Sequence, residues 1–191
     1  GCSGLKSITI PEGVTSIGSY AFMCVSLLSI NIPNSVISID KCAFQMSDLR
    51  SVTIPGSVRS IDKYAFYYCN RLYSVTICSG VTSIGPYAFY DCWGVSSISI
   101  PNSVTSIGER AFHNCENLSS ITIPDCVTSI GSWILGNTAW WKAQNEGVVY
   151  LDDILLGVSV LRNRNLADVF YRLHLIEAYG IGLPKIKECY S

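Results

Sequence analysis

The sequence predicts a mostly β solenoid of short parallel strands with short helices, closed by a C-terminal cap and a helical tail. Three observations predict it. The pattern LxSITIPxxVTSIGxxAFxxC is written six times over, starting at Leu5, Leu27, Leu49, Leu72, Val95 and Leu118. Its SI pair returns at Ile17, Ile39, Ile61, Ile84, Ile107 and Ile130, a period of 22 or 23 residues. Repeats of this length mark stacked coils that cannot bury their apolar faces singly. Within each copy, apolar residues alternate with Ser and Thr at the period of a half-buried strand. The period then stops near residue 136, so the last coil needs an atypical cover.

The copy from Leu49 to Cys69 justifies each element. Leu49, Val52 and Ile54 point inward while Ser51 and Thr53 point out, and Pro55 ends the strand because it has no N–H for a ladder. A turn leads to VRSI, a second extended piece with Val58 and Ile61 inside. Asp62 and Lys63 make another corner. YAFYYC then reads as one helical or 3₁₀ turn placing Ala65, Phe66 and Cys69 in the core. Three short faces thus enclose a narrow core, and six rungs stack to about 28 Å at the interstrand spacing. The two 22-residue copies are expected to lack one residue in the AF turn.

Composition narrows the function classes. Charged residues make up 14% and the net charge is −1, so no basic stripe exists to track nucleic-acid phosphates. No apolar run approaches the roughly 20 residues that span a bilayer, so no membrane insertion is expected. Nine cysteines suggest a disulfide framework at first, but Cys2, Cys24, Cys69, Cys92 and Cys115 are expected to share one place in their repeats, at the end of the AFxxC turn. That spacing predicts a column of buried, unpaired thiols; Cys42, Cys78, Cys126 and Cys189 lie outside it. No CxxC pair occurs, and His113 and His174 belong to different segments, so no metal site is predicted. No Ser-His-Asp or Cys-His set can be placed, and Asp152 and Asp153 are adjacent and point apart on an extended strand. The sequence therefore predicts no enzyme and no cofactor.

The repeat resembles the BspA-like leucine-rich repeats over about residues 2–151. That resemblance implies a right-handed leucine-rich-repeat solenoid. It also implies a cell-surface or secreted bacterial protein that binds or adheres to a protein or glycan ligand, host-derived proteins included, and it brings no catalytic residues with it. NTAWWKAQNEGVVYLDD resembles the segment that caps such arrays, with Trp140 and Trp141 lying across the end of the core and GVVYL supplying a covering strand. The domain reading is a solenoid over 1–136, a cap over 137–157 and a helical tail over 158–191.

In the tail, Leu166, Val169, Phe170, Leu173 and Ile176 recur at helical spacing. This stretch resembles the C-terminal piece of the GHKL-type ATPase module of RecG-like and AlbA-type bacterial regulators, through Gly157, Ser159, Arg162, Asn163, Leu166, Ala167, Phe170, Ile176, Glu177, Gly180 and Gly182. The module's DxGxG loop occurs nowhere in the chain, so the expected role is a cap without nucleotide chemistry. That family is cytoplasmic, which leaves a cytoplasmic repeat protein fused to a non-functional ATPase fragment as the alternative.

Binding is expected on columns that vary while their neighbours repeat. One, on the first strand, holds Lys6, Leu28, Arg50, Tyr73, Ser96 and Ser119. A second, beside the AF turn, holds Met23, Tyr67, Tyr90 and His113, joined by Tyr68, Asp91 and Asn114. A third holds Tyr20, Cys42, Tyr64, Tyr87, Arg110 and Trp133. The candidate partner-binding residues are Tyr67, Tyr68, Tyr73, Tyr87, Tyr90, Arg110 and His113, because Tyr and Arg are enriched at interface anchors. The competing reading is that Tyr stacks on Tyr for stability alone.

Overall fold

In the computed structural model the described residues are 4–144, 150–151 and 154–155. Eleven short strands follow in chain order: β1 (Ser16–Ile17), β2 (Ser29–Ile30), β3 (Ser38–Ile39), β4 (Ser51–Ile54), β5 (Ser60–Ile61), β6 (Ser74–Ile77), β7 (Ser83–Ile84), β8 (Ser97–Ser99), β9 (Ser106–Ile107), β10 (Ser120–Thr122) and β11 (Ser129–Ile130). The SI pairs form one parallel six-stranded sheet in the order β1-β3-β5-β7-β9-β11. The strands after each leading Leu or Val form parallel sheets β2-β4-β6 and β8-β10. Register follows the period, with Ser16 opposite Ser38 and Val52 opposite Val75. The expected mostly β solenoid is what the chain forms. Pro55 stops β4 as anticipated; in the next coil Cys78 stands in that column, and its N–H reaches Ile54 O at 3.0 Å.

The third face differs from expectation. The AF segment is no helical turn but a row of tandem turns of alternating handedness. Tyr20 and Cys24 have φ of 62° and 57°, and each of the six described coils repeats this pair of left-handed residues. The N–H groups of Tyr20, Phe22 and Cys24 therefore cross to the next coil, donating to Lys41, Ala43 and Gln45 carbonyls at 3.1, 2.7 and 2.9 Å. Those of Ala21 and Met23 stay within the coil, on Gly18 and Tyr20. A left-handed L-residue costs roughly 1–2 kcal/mol. The inter-coil bonds it permits offset that cost by satisfying backbone groups facing the core.

Inside, Phe44, Phe66, Phe89 and Phe112 are all but fully buried and stack face to face, with centroids 5.0–5.5 Å apart. Phe22 extends the stack at the first coil, 5.3 Å from Phe44, and Leu135 takes the ring's place in the sixth.

The cysteine column holds for Cys69, Cys92 and Cys115, which are free and fully buried. Each thiol donates to the Phe carbonyl of the preceding coil at 3.1–3.2 Å, so the column supplies hydrogen bonds as well as volume. Cys24 is a correction. It lies two residues after its Phe, whereas Cys69, Cys92 and Cys115 lie three after theirs, and so it occupies the left-handed position, half-buried, while Val25 fills the core column. Ser47 and Thr138 complete the column, both buried, with Ser47 Oγ 3.3 Å from Cys69 Sγ. Aligning the column this way also moves the missing residue. The shorter copies lose it between the column and the next Leu (VSL, SDL against CNRL), not in the AF turn. Cys2 and Cys189 lie outside the described residues.

Helix α1 (Ala139–Gln144) begins on a cap: Thr138 Oγ1 accepts the Trp141 N–H at 3.0 Å. Trp140 is buried at 8% exposure, and its backbone N–H donates to Leu118 O of the sixth coil at 2.7 Å. The chain divides into two compact units, Gly1–Trp141 and Lys142–Ser191. In the second, β12 (Tyr150–Leu151) pairs antiparallel with β13 (Ile154–Leu155). The helical tail expected from Leu166 to Ile176 lies outside the described residues.

Candidate functional site: an aromatic edge

The row of AF turns carries the candidate residues: Tyr64, Tyr68, Tyr87 and Arg110 at left-handed positions, and Tyr67, Tyr90 and His113 at the positions between the left-handed pair. Tyr67, Tyr90 and His113 form one stacked column, with centroids 5.3 and 5.2 Å apart and interplanar angles of 12° and 16°. Beside it, Tyr64 and Tyr87 lie 5.0 Å apart. An edge contact of 5.4 Å from Tyr64 to Tyr67 and a tilted one of 5.5 Å from Tyr87 to Tyr90 join the two columns. Arg110 extends the second column: its Nη1 donates to the Tyr87 hydroxyl at 3.0 Å, and that hydroxyl donates to Glu109 Oε1 at 3.2 Å. Glu109 also pairs with the Arg110 guanidinium at 3.6 Å. His113 meets Trp133 edge-on at 6.2 Å, and Trp133 lies 6.4 Å from Trp141, so ring contacts run on to helix α1.

The electrostatics follow from half-burial. Burial, and then the charge of Asp91, raise the Tyr67 and Tyr90 hydroxyls above their ordinary pKa. Burial lowers His113, which favours its neutral form. The hydrogen bond to Tyr87 raises Arg110 further. Six of the seven sequence candidates (Tyr67, Tyr68, Tyr87, Tyr90, Arg110 and His113) are thus brought to one edge. Tyr73 is not among them. It precedes β6 on the sheet face, 57% exposed, and among the described residues it shares no ring contact with the others.

The geometry also answers part of the stability reading. The ring faces along the stacked column cover one another, so what reaches solvent is ring edges, phenol hydroxyls and the guanidinium. One residue was missed from sequence. Trp93 lies at the margin, 5.4 Å from Tyr68 in an edge contact, and is 38% exposed. The available signal was a single aromatic in a column otherwise holding Asn70 and Glu116.

Among the described residues no group of three His, Cys, Asp or Glu could hold a metal ion, and no helix is long and apolar enough to cross a membrane. The arrangement presents a rigid, hydrogen-bonding surface.

Comparison with known proteins agrees with the fold. A leucine-rich repeat protein of T. pallidum is 27% identical with a TM-score of 0.56, over 59% of this chain and 56% of that one. A leucine-rich repeat protein of Eubacterium ventriosum is 25% identical with a TM-score of 0.50, over 69% of this chain and 42% of that one. This chain therefore spans about half the length of these relatives or less. Among curated proteins none matches the sequence. Nothing in these comparisons supports the ATPase-type resemblance of the tail, and the family match ends at residue 145. Six copies of the BspA type leucine rich repeat region match residues 1–95 and 82–145, and the chain belongs to that family.

Proposed function

We propose that this protein is a non-catalytic binding scaffold of a bacterial surface or secreted protein, contacting a protein or glycan partner through the aromatic edge of its third to fifth coils. The observation that carries this reading is the continuous surface of Tyr64, Tyr67, Tyr87, Tyr90, Arg110 and His113, held by ring contacts of 5.0–5.5 Å and by the Arg110–Tyr87 bond. Tyr and Arg dominate binding hot spots because they combine contact area with directed polar groups. Here their rotamers are restrained before any partner arrives, which lowers the ordering cost of association. The exposed Tyr73 on the sheet face offers a second, separate contact.

The test separates packing from recognition. Tyr67→Phe and Tyr90→Phe keep the stacks and remove only the hydroxyls, while Arg110→Ala removes the guanidinium. Adhesion of the full chain to immobilised extracellular-matrix proteins and mucin should fall in these variants with the melting temperature within a few degrees of wild type. Unchanged adhesion accompanied by a lower melting temperature would return the edge to a purely structural role.

A further inference from the structure

Trp93 is not explained by the repeat. Its column holds Asn70 in the coil before and Glu116 in the coil after, yet here an indole stands 38% exposed. Its backbone is held independently of the ring, because Asn117 Nδ2 donates to the Trp93 carbonyl at 2.7 Å. The indole meets Tyr68 at 5.4 Å and 68°, and its Nε1–H lies 3.4 Å from Asp91 Oδ1. One carboxylate, half-buried Asp91, thus touches the ring, and exposed Glu116 occupies Trp93's own column one period on.

Neighbouring cations are occupied elsewhere. Arg71 pairs with Asp48 at 3.5 Å, and Arg110 with Glu109 and Tyr87. Elsewhere on this edge the molecule uses the same chemistry within itself: Lys63 Nζ lies 4.8 Å from the Tyr64 ring centroid, and Lys41 lies 5.8 Å from that of Tyr20. Among the described residues no cation stands over Trp93, although indole is the ring that attracts cations most strongly.

We propose that Trp93, Tyr68, Asp91 and Glu116 form a docking site for a basic side chain, lysine or arginine, projected by a protein partner. The proposal rests on the reading of this edge as a binding surface and names the chemistry that it recognises. The indole attracts the cation through its ring quadrupole, and the two carboxylates add attraction that also steers the encounter. An acidic partner would meet like charges here. A neutral sugar would use the ring but gain little from the carboxylates.

The experiment titrates the full chain with fluorescein-labelled octalysine, octaarginine and octaglutamate, and separately with a neutral β-1,4-linked oligosaccharide, at low and physiological salt. The basic peptides should bind, more weakly as salt rises, and octaglutamate should not. Trp93→Ala keeps both carboxylates, so any loss it causes reports the ring; that loss should be on the order of 2- to 5-fold, the range of an exposed cation–π contact. Glu116→Gln and Asp91→Asn should each weaken binding, and Asn is already tolerated at the left-handed position, as at Asn114. Ile37→Ala, at an exposed position outside every candidate column, should change nothing. Octalysine affinity indifferent to Trp93, or an oligosaccharide that binds in a Trp93-dependent way, would overturn the proposal. If octalysine ignores Trp93 while the Tyr67, Tyr90 and Arg110 variants still lose adhesion, this site fails and the binding edge stands.

Discussion

Replacing Phe66 by Ala should be among the most damaging single changes in the solenoid, and its cost relative to Phe22→Ala tests how the coils hold together. Phe66 is fully buried between two parallel rings, Phe44 and Phe89, each with its centroid 5.0 Å away, at 7° and 1°. Truncating a buried Phe costs about 3–5 kcal/mol through lost transfer energy and the cavity left behind. Each stacked pair adds about 0.5–1.5 kcal/mol beyond area, and Phe66 loses two of them. Phe22 is half-buried in the first coil and stacks on Phe44 alone, at 5.3 Å, so its loss should cost roughly half as much. For a chain of this size about 1 kcal/mol moves the melting temperature by ~2–4 °C, so the truncation alone puts Phe66→Ala at about 6–20 °C below wild type, and the two lost stacks lower it further. Urea and thermal unfolding followed by circular dichroism would measure both variants. A Phe22→Ala variant as destabilised as Phe66→Ala would refute the reasoning, since stability would then not scale with the coil neighbours a ring touches.

Three further outcomes follow from particular residues. Burial pushes the Cys69 thiol up to about 11 and that of Cys115 up to about 12, with Cys92 also well above its ordinary value. These three should therefore resist thiol labelling at pH 8 until denaturant is added, while half-buried Cys24, Cys78 and Cys126 label first; rapid native-state modification of Cys92, read by peptide mass spectrometry, would contradict this. Burial lowers the pKa of His113 in the folded state, so its contribution is present above the unfolded value near 6.5 and is lost as pH falls towards the lower folded value. The melting temperature should drop between about pH 7 and pH 5, and His113→Asn should remove that part of the drop. Gly80 sits at φ +120°, and a Cβ there would lie 2.1 Å from Gly56 O, so Gly80→Ala should destabilise the third and fourth coils, whereas Gly4→Ala, which meets nothing within 4 Å, should be neutral in the same melt.

Much of the fold was legible because a solenoid converts sequence period directly into space. Residues one period apart must face the same way, so the parallel register of Ser38 on Ser60 and the burial of Ile61, Phe66 and Cys69 could be read from the repeated letters. The slip at Cys24 was legible too, in the two-residue spacing from Phe22, but the shared letter C concealed it. The left-handed turns were not legible. Gly and Asn usually announce positive φ, and here Tyr64, Tyr87, Arg110 and Trp133 adopt it at 52–62°. No local propensity favours that conformation; only the carbonyls of the next coil do.

For the candidate site, the sequence by itself determined which residues vary along each column, and hence that aromatic residues, with Arg and Asp among them, would gather on the third to fifth coils. Only the tertiary structure decided how they are used. Stacking turns the faces of Tyr67, Tyr90 and His113 towards one another and sets Tyr73 apart on the sheet, while Trp93 is left exposed beside Asp91. The physical reason is that a period specifies which coil and column a side chain occupies. The tilt of a ring and its remaining exposure depend on the neighbours above and below it, and those are defined only once the coils have stacked.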